Sequence, residues 1–188
     1  MAKPPEVHGD FTETTVSSRL AYDGGLLKVK RDAVRLPDGG IAWREYALHP
    51  GAVMVLAFVD ERTILLERQF RYPKGRHFIE LPAGKLEAGE PPLETARREL
   101  IEECGYEAAE WTKVATLDPC IGYSDEVIHL YAARGLKHVG ARLDVGEHLE
   151  VFEATVAEAV EWVRDGIITD AKTIIGVLWC ERFGAFRA

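Results

Sequence analysis

Three glutamates, Glu99, Glu102 and Glu103, sit close together in the segment "ELPAGKLEAGEPPLETARRELIEECGY", residues 80–106. Pro91 and Pro92 suit a first helical turn and Gly105 suits a C-terminal stop, so the spacing predicts a helix from about Pro92 to Cys104. Its apolar stripe is Leu93, Ala96, Leu100 and Cys104. Residues four apart share a helix face, about 6 Å apart along the axis. That pairs Glu99 with Glu103 and puts Glu102 alongside. Carboxylates this close repel unless a cation or an arginine compensates. Arg98 can pair with Glu102 one turn on, leaving Glu99 and Glu103 as donors for a hard divalent cation, Mg²⁺ or Mn²⁺. A solvated charged face accounts for the glutamates equally well. The preceding loop favours the cation, because Gly84 and Gly89 permit a tight path on which the Ala83 carbonyl can become a further ligand.

The elements that must position these groups read as an α+β domain. Residues 11–48 form short strands joined by the turn signals "YDGG" and "LPDGG". "GAVMVLAFV" (51–59) is apolar on both faces and fits a buried central strand, with "TILLERQF" as its expected hairpin partner. A short strand is expected near Phe78–Leu81, then the helix, then strands at "WTKVATL", "EVIHLYAAR" and "LEVFEATV". "VAEAVEWVRDG" reads as an amphipathic helix and "TDAKTIIGVLWCERF" as a final helix capped by Thr169 or Asp170. Trp162 and Trp179 fall on apolar helical faces and read as packing residues.

The chain of 188 residues is 47% hydrophobic and 29% charged, as globular proteins are. A net charge of −8 argues against a sequence-independent grip on nucleic acid. The longest apolar run is too short to span a bilayer, and the N-terminus carries no apolar signal core. Cys104, Cys120 and Cys180 form neither a disulfide framework nor a zinc pattern and read as reduced, cytosolic thiols.

Counted from Gly84, five residues lead to Glu90 and seven more to Arg98, followed by Glu99, Leu100, Glu102, Glu103 and Gly105 in fixed order. This arrangement resembles the Nudix box. Only the last position departs, with Tyr106 where the box has an aliphatic residue. The flanks "ERQFRYP", "ELPAGKLEAGE", "GYSDEVIHLYAA" and "DGIITDAKTI" resemble the ADP-ribose pyrophosphatase branch. The resemblance implies a Nudix fold, an α/β/α sandwich with a mixed sheet, over 49–188. A β-rich region over 1–48, expected to serve dimerisation, would precede it.

It further implies metal-assisted attack of water on a pyrophosphate, giving AMP and ribose 5-phosphate from ADP-ribose. GDP-mannose or another nucleoside-diphosphate sugar is the alternative substrate, and a non-catalytic nucleotide-binding module is the alternative of another class. Carried over by the resemblance, Ala83, Glu99 and Glu103 hold metal and Glu102 is a secondary ligand or a partner of Arg98. Glu90 orients the loop or reaches a metal through water. The general base is expected on a later loop, at Glu126 of "GYSDEV", with Asp125 beside it; a surface charge at a strand end is the plain reading of Glu126. Trp43, Arg44, Tyr46 and Arg68 are substrate-binding candidates, as a base-stacking ring and phosphate-gripping guanidinia, against core packing for Trp43 and solvation for Arg44. Arg71 and His129 read as structural.

Overall fold

The computed structural model describes residues 8–186, which form two compact units. The first comprises the N-terminal residues to His49 together with Cys120–Asp125. Its three strands, β1 (Thr14–Asp23), β2 (Lys28–Arg35) and β3 (Ile41–Leu48), make an antiparallel sheet in that order. β1 is exposed along its length, so this sheet has little core of its own. The 120–125 loop is tied to the end of β3, where Ala47 N donates to Tyr123 O at 2.9 Å and His49 N donates to Asp125 Oδ1 at 2.7 Å.

The second unit holds the remaining elements. These are β4 (Ala52–Ala57), β5 (Thr63–Arg71), β6 (Arg76–Glu80), β7 (Ala83–Lys85), α1 (Pro92–Cys104), β8 (Tyr106–Leu117), β9 (Ile128–His138), β10 (Leu149–Thr155), α2 (Val156–Arg164) and α3 (Ala171–Phe183). One sheet has the order β7-β4-β9-β8, with β4 and β9 parallel and the other pairs antiparallel. The second, β10-β5-β6, is antiparallel.

β4 is buried on both faces, which is why its sequence runs apolar without alternation. Val53 and Val55 pack with Ala96, Leu100 and Cys104 of α1. Met54 and Leu56 pack on the other side with Leu81, Leu130, Ala159 of α2 and Val177 of α3. Helices thus cover both faces of a mixed sheet, the sandwich the sequence resemblance implies.

Several expectations need correction. β5 is not the hairpin partner of β4: the bridge Phe58–Ile64 pairs β5 with the residue after β4, and β5 otherwise meets β4 through core side chains. Both edges of β4 are already taken, by β7 and β9, so the chain crosses to the other sheet. β8 begins directly after Gly105, five residues before the expected start at Trp111, because β9 continues to His138 and offers it a partner. α3 is capped by Asp170, which accepts from Thr173 N at 3.0 Å. Thr169 instead accepts from Arg76 at 2.7 Å. Trp162 packs against Phe152 and Trp179 against Phe183.

Candidate active site

α1 carries the expected glutamates, and its register decides what each one meets. Its buried face comprises Thr95, Ala96, Leu100, Glu103 and Cys104, so Glu103 shares the helix's core side. Gly105 ends the helix at φ 76°, a left-handed conformation that costs glycine nothing. Tyr106, the departure from the box, packs edge-on against His138 and against the α1 core cluster.

β7 supplies the facing wall. Ala83 N donates to Glu103 Oε2 at 3.0 Å. Gly84 has an ordinary φ, and what its position requires is space: a methyl group there would overlap the Glu99 carboxylate. Gly89, at φ 80°, is the loop glycine whose conformation matters. Gly84→Ala should therefore keep the fold but push the Glu99 carboxylate out of place, lowering kcat/KM about a hundredfold, near the upper end of what a 1 Å misplacement costs. A variant within threefold of wild type would show that Glu99 need not lie against β7.

Arg98 does more than pair with Glu102. It donates to Glu102 Oε2 at 2.8 Å, Glu99 Oε1 at 2.9 Å and both oxygens of Glu90 at 3.0 and 3.1 Å. Glu99 is therefore not left free of arginine, as helical spacing alone had it. Glu90 also accepts from Thr95 Oγ1 at 2.8 Å, and Arg98 donates to Lys85 O at 3.2 Å. One guanidinium thus ties the loop to the helix. It holds the Glu90 carboxyl down at about 2.

The buried end of the helix is electrostatically opposite. Burial raises Glu99 to about 6, with Arg98 opposing the shift. Glu103 is pushed well above the usual carboxylate range by burial, and then by the charges of Glu67, Glu99 and Glu147. Glu67, on β5, rises likewise through burial and the charge of Glu80. Glu80 itself is compensated: Arg71 donates to it bidentately at 2.7 and 2.8 Å, and Lys172 bridges it to Asp170. Arg71 is structural as read from the sequence. His129 is half-buried at 3.5 Å from Thr116 Oγ1.

Glu99 and Glu103, oxygen donors one turn apart on α1 against β7, have the chemistry a hard divalent cation takes, while no three His, Cys, Asp or Glu side chains among the described residues already form a cluster that could hold one. Glu67 and Glu147 were missing from the sequence reading. Glu67 ends an apolar run and looks like a solvent-facing strand terminus; Glu147 lies in the short acidic stretch "DVGEHLE" with nothing to mark it.

The remaining candidates stand on other elements. Glu126 lies in the loop before β9, which pairs with the edge of β4 opposite β7. Asp125 is engaged with His49 N. In the N-terminal unit Trp43 is 55% exposed with the Arg31 guanidinium 4.5 Å over its ring, which excludes core packing for Trp43. Arg44 is ion-paired with Glu13, and Tyr46 OH donates to Asp32 at 3.1 Å. Arg68 is exposed on β5, opposite Glu150 in the register.

Residues 48–174 match the family model described as NUDIX domain, and residues 13–47 match that described as nucleoside diphosphate sugar hydrolase N-terminal domain. A methanol dehydrogenase activator of Bacillus methanolicus is 40% identical over 91% of this chain and 94% of its own length. An ADP-ribose pyrophosphatase of Bacillus subtilis is 38% identical over 94% and 96%. The crystal structure of an ADP compounds hydrolase superposes with a TM-score of 0.84 at 20% identity, covering 94% of this chain and 96% of that one, and so shares the fold. With the box residues gathered on α1 and β7 inside such a sandwich, the chain belongs to the Nudix family.

Proposed function

We propose that the protein hydrolyses the pyrophosphate of ADP-ribose to AMP and ribose 5-phosphate, using Mg²⁺, with Mn²⁺ as a substitute. The observation that carries this reading is the half-buried Glu99 and buried Glu103 against β7, flanked by an arginine that serves three carboxylates. The likeness to a relative named ADP-ribose pyrophosphatase supports the substrate. Ala83, Glu99 and Glu103 hold the cation, with Glu102 and Arg98 fixing the helix face and Glu90 the loop. When bound, the divalent metal neutralises charge on the bridging and leaving oxygens.

A glutamate takes a proton from the attacking water as the new phosphorus–oxygen bond forms and the bridging bond breaks. The leaving phosphate keeps the bridging oxygen, so one water is consumed and two monophosphates result. We assign the base to Glu147 in preference to Glu126, because Glu147 accepts from Gln69 Nε2 at 3.4 Å, two residues along β5 from the buried Glu67. Trp43, Tyr46, Arg44 and Arg68 are assigned to substrate, the ring of Trp43 to the base and the guanidinia to phosphate.

The exposed apolar side chains Val16, Leu20, Tyr22 and Ile41 of the N-terminal sheet suit a second copy of the chain, making a homodimer. Cys104, Cys120 and Cys180 are free thiols, and no helix among the described residues is long and apolar enough to cross a membrane. We place the enzyme in the cytoplasm on the thiols. Nucleic acid is not assigned as a partner.

A second reading, a nucleoside-diphosphate sugar such as GDP-mannose, is favoured by the match over residues 13–47. A panel of ADP-ribose, GDP-mannose, diadenosine polyphosphates and NADH with Mg²⁺ decides between them. ADP-ribose should give the highest kcat/KM. Should another nucleotide sugar exceed it tenfold, the substrate assignment fails while the chemistry stands. No turnover of any would leave the non-catalytic binding module.

A further inference from the structure

Glu67 is fully buried, and neither of its carboxylate oxygens has a hydrogen-bond partner among the described residues. Strand alternation explains its direction. Leu65, two residues earlier on β5, packs with Leu100 and Cys104 of α1, so Glu67 points towards the same helix. Of the charges acting on Glu103, that of Glu67 is the largest.

The nearby cations are already committed to other carboxylates. Arg71 and Lys172 are committed to Glu80, and Lys172 also serves Asp170, two positive charges against two negative. Arg98 is shared by Glu90, Glu99 and Glu102. Neither Glu67 nor Glu103 has an ion pair with any of them among the described residues. The charges of Lys172 and Arg71 reach Glu67 only at a distance, and a buried carboxylate without a direct partner is costly, two as neighbours more so. One divalent cation would cancel both charges.

We propose that Glu67 is a further ligand of a divalent cation of the Mg²⁺/Mn²⁺ class held with Glu103, so that β5 as well as α1 and β7 builds the metal site. This rests on the metal-dependent reading given above. The test is Mn²⁺ titration of the full chain followed by electron paramagnetic resonance, with thermal melts in EDTA and in Mn²⁺. Glu67→Gln should weaken Mn²⁺ binding about tenfold or more, since even outer partners of metal ligands cost 10–100-fold. It should also shrink the Mn²⁺-induced rise in melting temperature, while the EDTA melt stays at or above that of wild type.

If Glu67→Gln binds Mn²⁺ within threefold of wild type while Glu103→Gln does not, the inference is overturned and the metal site stands. If both variants bind like wild type, the metal reading itself fails. A loss of binding together with a lower EDTA melt indicates damage to the fold and counts against a ligand role. Glu67→Leu, which suits the apolar side of β5, gives the same comparison should the glutamine variant not fold.

Discussion

Glu103→Gln should lower kcat/KM for ADP-ribose by about three powers of ten or more and leave the fold intact. Glutamine keeps the shape of the side chain, and its carbonyl can still accept from Ala83 N, as Glu103 Oε2 does at 3.0 Å. What it loses is the negative charge that a cation needs. Removing a metal's stabilisation of developing charge costs several kcal/mol, and about 4 kcal/mol corresponds to a thousandfold. The metal-free variant should melt at or above metal-free wild type, because one of two neighbouring buried carboxylates, Glu67 and Glu103, is gone. Steady-state kinetics in Mg²⁺ and a melt in EDTA check both halves. Activity within tenfold of wild type would remove Glu103 from the cation set.

The second large effect concerns the base. Glu147→Gln should cut kcat by two to four powers of ten, the range a well-placed general base supplies. Glu126→Gln should stay within tenfold. Glu147 interacts electrostatically with Glu67, Glu99 and Glu103 and sits in the loop before β10, accepting from Gln69 Nε2 at 3.4 Å. Glu126 lies two residues before β9, the strand that pairs with the edge of β4 opposite β7. The opposite pair of results, Glu126→Gln inactive and Glu147→Gln near normal, would return the base to the position that the sequence resemblance suggests. A metal-ligand role for Glu147 would differ again: its glutamine variant would lose Mn²⁺ affinity along with rate.

How far the sequence reaches depends on how local each contact is. The α1 helix was legible from its prolines, its glycine stop and its apolar stripe, all settled within one element. The two-sided burial of β4 was legible because an unbroken apolar run has no solvent face to offer. Arg98 shows the boundary. Its link to Glu102 follows from helical spacing, but its links to Glu90 and the Lys85 carbonyl depend on where the loop folds back. What Gly84 is needed for is non-local in the same way. Its position calls for room against Glu99 rather than an unusual φ, and room is a property of the partner element.

The sequence by itself determined the family, the helix that carries the carboxylates and which of them share a face, since covalent spacing and the 3.6-residue turn fix those relations. Only the tertiary structure decided that β5 leaves β4 for another sheet, and so that Glu67 is buried facing α1 rather than solvent. It alone brought the charge of Glu147 to bear on the cluster. These relations join residues distant in the chain through strand partners and register. A shift of one residue would turn Glu67 to the opposite face, and no local pattern encodes that choice.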